Sequence, residues 1–191
     1  MSKLTSTAQA VLDSRSYMIE RTIRDFRETV LCHHEERVRD LMASTEIRVN
    51  GRLTVTAGWA FHYQRAIEVS GPVFRCPVNT IQDLWDTLAH EFAHLCEFAF
   101  EDHSATPLHL RGEEASHNAT WKAWALEFGD RTGERFHDLY LPRRYGKAAE
   151  RLRPVGGWIM RGQDQDERVR RLGRVNAWRS ALGESEYQFK A

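Results

Sequence analysis

The spacing of apolar positions changes several times along the chain, and each change marks a new kind of element. From about Thr7 to Met42, Val11, Met18, Ile19, Ile23, Phe26, Val30 and Leu31 recur close to helical spacing, with no Gly or Pro among them. That predicts a helix. From Ile47 to Ala60 the pattern alternates, with β-branched residues flanking Asn50-Gly51. Asn-Gly between two such runs predicts a hairpin, because both central positions of a type I′ turn need positive φ. A third strand, Ala66 to Ser70, closed by Gly71-Pro72, completes a small antiparallel sheet. Asn79 to Phe100 then reads as one amphipathic helix, with Thr80 as N-cap and Asp83 as its capping-box partner. After a loop at 101–112, a second helix runs from Ser116, as its cap, to Phe128 and ends at Gly129. The chain from Arg135 onward reads as mostly helical, with breaks at Pro142, Pro154 and Gly156-Gly157. The expectation is an α+β domain over residues 1–134, with its core at about 20–130, and a helical extension over 135–191.

Composition narrows the class. A chain of 191 residues can bury one real core. No apolar run is long enough to span a membrane, and the N-terminus shows no secretory signal. Cys32, Cys76 and Cys96 are isolated and form no CxxC pair, which fits a reduced cytoplasm. Charge is uneven: residues 1–130 carry 13 Lys/Arg against 19 Asp/Glu, and residues 131–191 carry 14 against 8. A basic tail can mark a nucleic-acid partner, although a solvated helix face is the simpler account.

The chemistry sits in His90-Glu91-Phe92-Ala93-His94. On a helix, positions i and i+4 share a face, so His90 and His94 can aim at one metal ion. Glu91 lies beside them, where it can reach a metal-bound water. Zinc lowers the pKa of such a water to near 7, and the carboxylate takes its proton. A catalytic zinc also needs a third protein ligand. Leu95-Cys96-Glu97 excludes the metzincin spacing, and the remaining candidates are His103, His109, Glu113, Glu114 and His117.

Three features resemble the SprT-like zinc peptidases, which include the bacterial SprT proteins and the Spartan DNA–protein crosslink proteases, with the WLM peptidases as relatives. The first is the His-Glu-x-x-His motif. The second is His117 followed at +4 by Trp121, similar to the family's His-Gly-x-x-aromatic block. The third is the pair Arg52–Gly58 and Ile67–Pro72, similar to the family's strands ending in Ala-Gly and in Asn/Ser-Pro. The resemblance covers roughly residues 20–130. It implies a zincin-like minimal metallopeptidase domain, zinc held by His90, His94 and His117, and Glu91 as general base. It also implies protein substrates, including proteins on DNA. The sequence departs from the family in two ways: Asn118 replaces the usual Gly, and the tail lacks the cysteines of a C-terminal zinc ribbon. The long interval between His94 and His117 keeps Glu113 as a second candidate for the third ligand.

Other clusters have plainer readings. Cys32-His33-His34-Glu35-Glu36 reads as a polar helix face, because consecutive helical residues diverge. Cys96 reads as a small buried residue. Trp121, Trp124 and Phe128 read as core, and Trp59, Phe61 and Tyr63 as sheet packing. His137, Tyr140 and Tyr145 are candidates to hold an oxyanion. The Ile67–Ser70 strand is a candidate edge for peptide addition. The stretch Arg168–Arg179, with Trp178, has the composition of a single-strand binder or of a solvated amphipathic helix. The alternative to a peptidase is a non-catalytic module of the same fold that binds DNA or protein.

Overall fold

The computed structural model describes residues 6–53, 56–76, 78–101, 117–130, 165–181, 185–186 and 188. The architecture is mixed: mostly helix, with one three-stranded sheet. The predicted first helix is two helices, α1 (Ser6–His33) and α2 (Glu36–Ser44). No Gly or Pro separates them. The break comes at Glu35, which is extended (φ −64°, ψ 159°), inside the polar run His33–Glu36 where no apolar residue ties the chain to the core. One side of α1 supplies Ile19, Phe26 and Val30 to that core, each at most 1% exposed.

The sheet corrects the expectation of an antiparallel hairpin. Strands β1 (Glu46–Asn50), β2 (Gly58–Phe61) and β3 (Ala66–Ser70) lie in the order β1-β3-β2. β1 runs parallel to β3, with Glu46 opposite Ala66, and β2 runs antiparallel to it, with Gly58 opposite Val69. Asn50-Gly51 does turn the chain, but as an Asx turn in which Asn50 Oδ1 accepts from the Arg52 amide at 2.8 Å. Asn50 Nδ2 meanwhile donates to Glu68 of β3 at 2.6 Å, which ties β1 to β3 and not to β2. Burial decides the order. Ala66, Ile67, Val69 and Ser70 are completely buried, so β3 takes the centre, whereas β1 is mostly exposed or half-buried and suits an edge. β3 is therefore not the free edge expected for Ile67–Ser70. The edges are β1 and β2.

Gly71-Pro72 opens a short helix, α3 (Gly71–Arg75), whose first turn is capped by the Ser70 hydroxyl accepting from Val73 at 3.2 Å. The long helix α4 (Ile81–Phe100) begins at the predicted cap. Thr80 Oγ1 accepts from the Asp83 amide at 3.1 Å, and Asp83 accepts from the Thr80 amide at 2.5 Å. Leu84, Leu88, Phe92 and Leu95 form its buried stripe. The next helix, α5 (Ala119–Glu127), starts two residues later than predicted, because Asn118 and not Ser116 supplies the cap.

The helix α6 (Gln165–Ala181) packs on this body through Val175, which is fully buried. Arg174 donates to the Val78 carbonyl at 3.0 Å, just ahead of α4. Nearby, the Arg15 guanidinium of α1 donates to the carbonyls of Phe74, Cys76 and Asn79. Both ends of the described chain thus converge where α4 begins. Among the described residues, no helix is long and apolar enough to cross a membrane.

Candidate metal centre

The site is built where α4, α5 and β2 meet. His90 and His94 lie one turn apart on α4 with ring centroids 5.0 Å apart, as their spacing requires. His117 comes from the turn ahead of α5. Its ring centroid is 5.0 Å from that of His90 and 4.9 Å from that of His94. One nitrogen from each of the three histidines lies within 4.8 Å of the other two, and the Nε2 atoms of His90 and His117 are 3.2 Å apart. Three imidazoles so placed can hold a metal ion. They are the one such group of His, Cys, Asp or Glu among the described residues.

Trp121 backs the group. Its ring centroid lies 4.4 Å from His117, 4.6 Å from His90 and 5.3 Å from His94, and only 1% of the residue is exposed. Its indole N–H donates to the His90 carbonyl at 3.3 Å. The expectation of core packing for Trp121 holds, and the same ring also forms the wall of the site.

Two buried carboxylates stand behind the histidines. Asp130 Oδ2 lies 3.7 Å from His90 Nδ1, and Glu97 Oε2 lies 4.0 Å from His94 Nδ1. Carboxylates on the Nδ1 side favour the tautomer that leaves Nε2 free to bind, and they raise the ring's basicity toward a cation. Sequence reasoning missed both. Gly129 was legible as a helix stop, and at φ +89° it turns the chain so that Asp130 reaches inward. The Asp130 amide donates back to Ala125 at 2.9 Å, which fixes the turn. Asn118 caps α5 through Oδ1, which accepts from the Trp121 amide at 2.9 Å, so the departure from Gly at this position has a structural role.

The electrostatics fit a cation. Burial, and then the neighbouring His90, His117 and His62, push the His94 pKa far below its ordinary value. The ring stays neutral, which is the form that binds metal. Glu91 is held differently. It lies 7% exposed between α4 and β2. Ser70 donates to the Ala57 carbonyl at 2.7 Å, so strand alternation turns the backbone of Ala60 away from β3. The Ala60 amide then donates to the Glu91 carboxylate. A Cβ at Gly58 would lie 2.8 Å from Glu91 Cγ and 2.7 Å from Thr87 Cγ2, so only glycine admits this approach. Burial lifts the Glu91 pKa to about 7, against the lowering effects of His90 and the Ala60 amide.

A fourth histidine flanks the site unforeseen. His62, in the turn after β2, stacks on Phe98 at 4.9 Å and faces His94 at 6.4 Å between ring centroids. The Trp59 and Phe61 rings stack on each other at 6.2 Å on β2, as sheet packing predicts, with Trp59 still 55% exposed, whereas Tyr63 lies in the turn after the strand and is 87% exposed. Cys96 is fully buried, as expected. His103, His109, Glu113, Glu114, His137, Tyr140 and Tyr145 lie outside the described residues.

Compared with known families, residues 26–137, more than half of the chain, match the SprT-like family. The chain belongs to the SprT-like family. The matched span of this SprT-like chain includes His90, Glu91, His94, His117 and Trp121, and α6 lies beyond it. Neither the curated proteins nor the solved structures give a match.

Proposed function

We propose that this SprT-like chain is a zinc-dependent endopeptidase, with the metal on His90, His94 and His117 and with Glu91 as general base. The observation that carries the reading is the convergence of three imidazoles with a buried carboxylate alongside them. Three nitrogen donors leave one position open on a tetrahedral ion, which is the catalytic and not the structural pattern. A zinc ion held there would polarise the scissile carbonyl and bring a water's pKa near 7.

The chain's own residues supply the rest. Glu91 takes the proton of the attacking water and later delivers it to the leaving amine. Its raised proton affinity suits it to hold that proton between the two steps. Gly58 and the Ala60 amide keep its carboxylate in one orientation. Asp130 and Glu97 orient two of the three rings. Proteins associated with DNA are the substrate class favoured by the family, by the basic C-terminal residues and by the exposed position of Arg170 on α6.

Elemental analysis and proteolysis together test the reading. Wild type should hold about one zinc per chain, and folded His117→Ala should lose most of it. Glu91→Gln should keep the metal and lose cleavage of unfolded protein substrates. Zinc bound in both, with equal and negligible cleavage, would move the chain to the non-catalytic binding module. Retention of zinc in His117→Ala would move the third ligand to Glu113 or Glu114.

A further inference from the structure

We infer that Asn118 is a positioning residue for the third ligand: through Glu97 it pins the His117 turn to α4 and so sets how tightly the site holds its metal. The inference rests on the three-histidine reading above. Asn118 uses both ends of its amide. Oδ1 accepts from the Trp121 amide at 2.9 Å and starts α5, while Nδ2 donates to Glu97 Oε1. The other oxygen of the same carboxylate lies 4.0 Å from His94 Nδ1. One carboxylate, 6% exposed, therefore faces a ligand on α4 and also grips the residue next to the ligand on the turn.

The contact matters because the ligands are supplied so differently. His90 and His94 are set by the helix that carries both. His117 precedes its helix, and its place depends on what fixes Asn118. The cap holds the Asn118 backbone extended, at φ −70° and ψ −179°, but a cap alone fixes only the start of α5. The bond to Glu97 fixes that start against α4. An amide suits the place. A buried carboxylate needs a donor, and a charge-assisted bond is a strong one. A neutral donor, unlike Lys or Arg, adds no positive charge beside a bound cation.

A charge swap separates this role from capping. Asn118→Asp keeps an excellent cap but sets two carboxylates against each other. Its zinc affinity, measured on the folded full chain by competition with a chromophoric chelator, should fall roughly 10–100-fold, the usual effect of losing a group that orients a ligand. The double variant Glu97→Gln/Asn118→Asp restores a donor and an acceptor across the same gap, with the new amide oxygen left to face His94. It should recover most of the loss. The visible spectrum of the cobalt-substituted protein should shift in the single variant and return in the double. If Asn118→Asp does not fold, Asn118→Ser retains the cap, drops the amide and adds no charge, and the same loss is expected. Wild-type affinity in the single variant, or no recovery in the double, overturns the inference. Failure of wild type itself to bind zinc would instead sink the three-histidine reading beneath it.

Discussion

The two halves of the site are made in different ways. On α4, one helix carries His90, Glu91 and His94, and local rules fix nearly everything: a capping box, an apolar stripe and a four-residue spacing. On the α5 side, His117, Trp121 and Asp130 sit before, within and after a short helix, and each meets α4 at His90. The first half is a property of a segment, and the second is a property of the fold. Perturbations should therefore spread differently from the two sides.

The largest effect is expected on the α5 side. Trp121→Ala removes a buried indole that touches all three histidines, and stability should fall by about 3–5 kcal/mol in urea unfolding. Since the same ring backs the ligands, metal affinity should fall with it. A loss of stability with unchanged metal affinity would show that α4 orders the site unaided.

An intermediate effect concerns Glu91 in the metal-free protein. Its folded pKa of about 7 lies above its ordinary 4.5, so the folded state holds the proton more tightly. The stability this gives is full below about pH 4.5 and is lost as pH rises through about 7. Glu91→Gln cannot lose it. The metal-free variant and wild type should melt alike in acid. At about pH 8 the variant should be the more stable by roughly 3 kcal/mol, taking ~1.4 kcal/mol per pKa unit. Equal melting at about pH 8 would mean that Glu91 is not buried as described.

The smallest effect belongs to the α4 side. Thr80→Ala removes one half of the capping box and should cost about 1 kcal/mol, with metal affinity nearly unchanged, because the ligands lie more than two turns away. A large loss of metal here would erase the contrast between the two sides.

What the sequence could reveal follows the same line. The limits of α4, its cap, its two histidines and Glu91 were legible because helical periodicity and capping act over three or four residues. His117 was one of several candidates by spacing, and the resemblance singled it out. The geometry brings it to the other two, but spacing alone could not. Asp130, Glu97 and His62 were not legible, since nothing local says that a carboxylate or a ring distant in sequence faces a histidine. The strand order failed for a related reason. Asn50-Gly51 is a strong local turn signal, whereas pairing was decided by the burial of β3 on both faces, which is a tertiary outcome.

The edge position of β2 has a consequence for motion. An edge strand of four residues, with one paired neighbour, is among the pieces of a domain that detach at least cost. β2 carries both the Ala60 amide that the Glu91 carboxylate accepts from and the Gly58 that admits its approach, so opening of this strand would expose Glu91 to water. The proton affinity of Glu91 is thus coupled to closure of an edge strand.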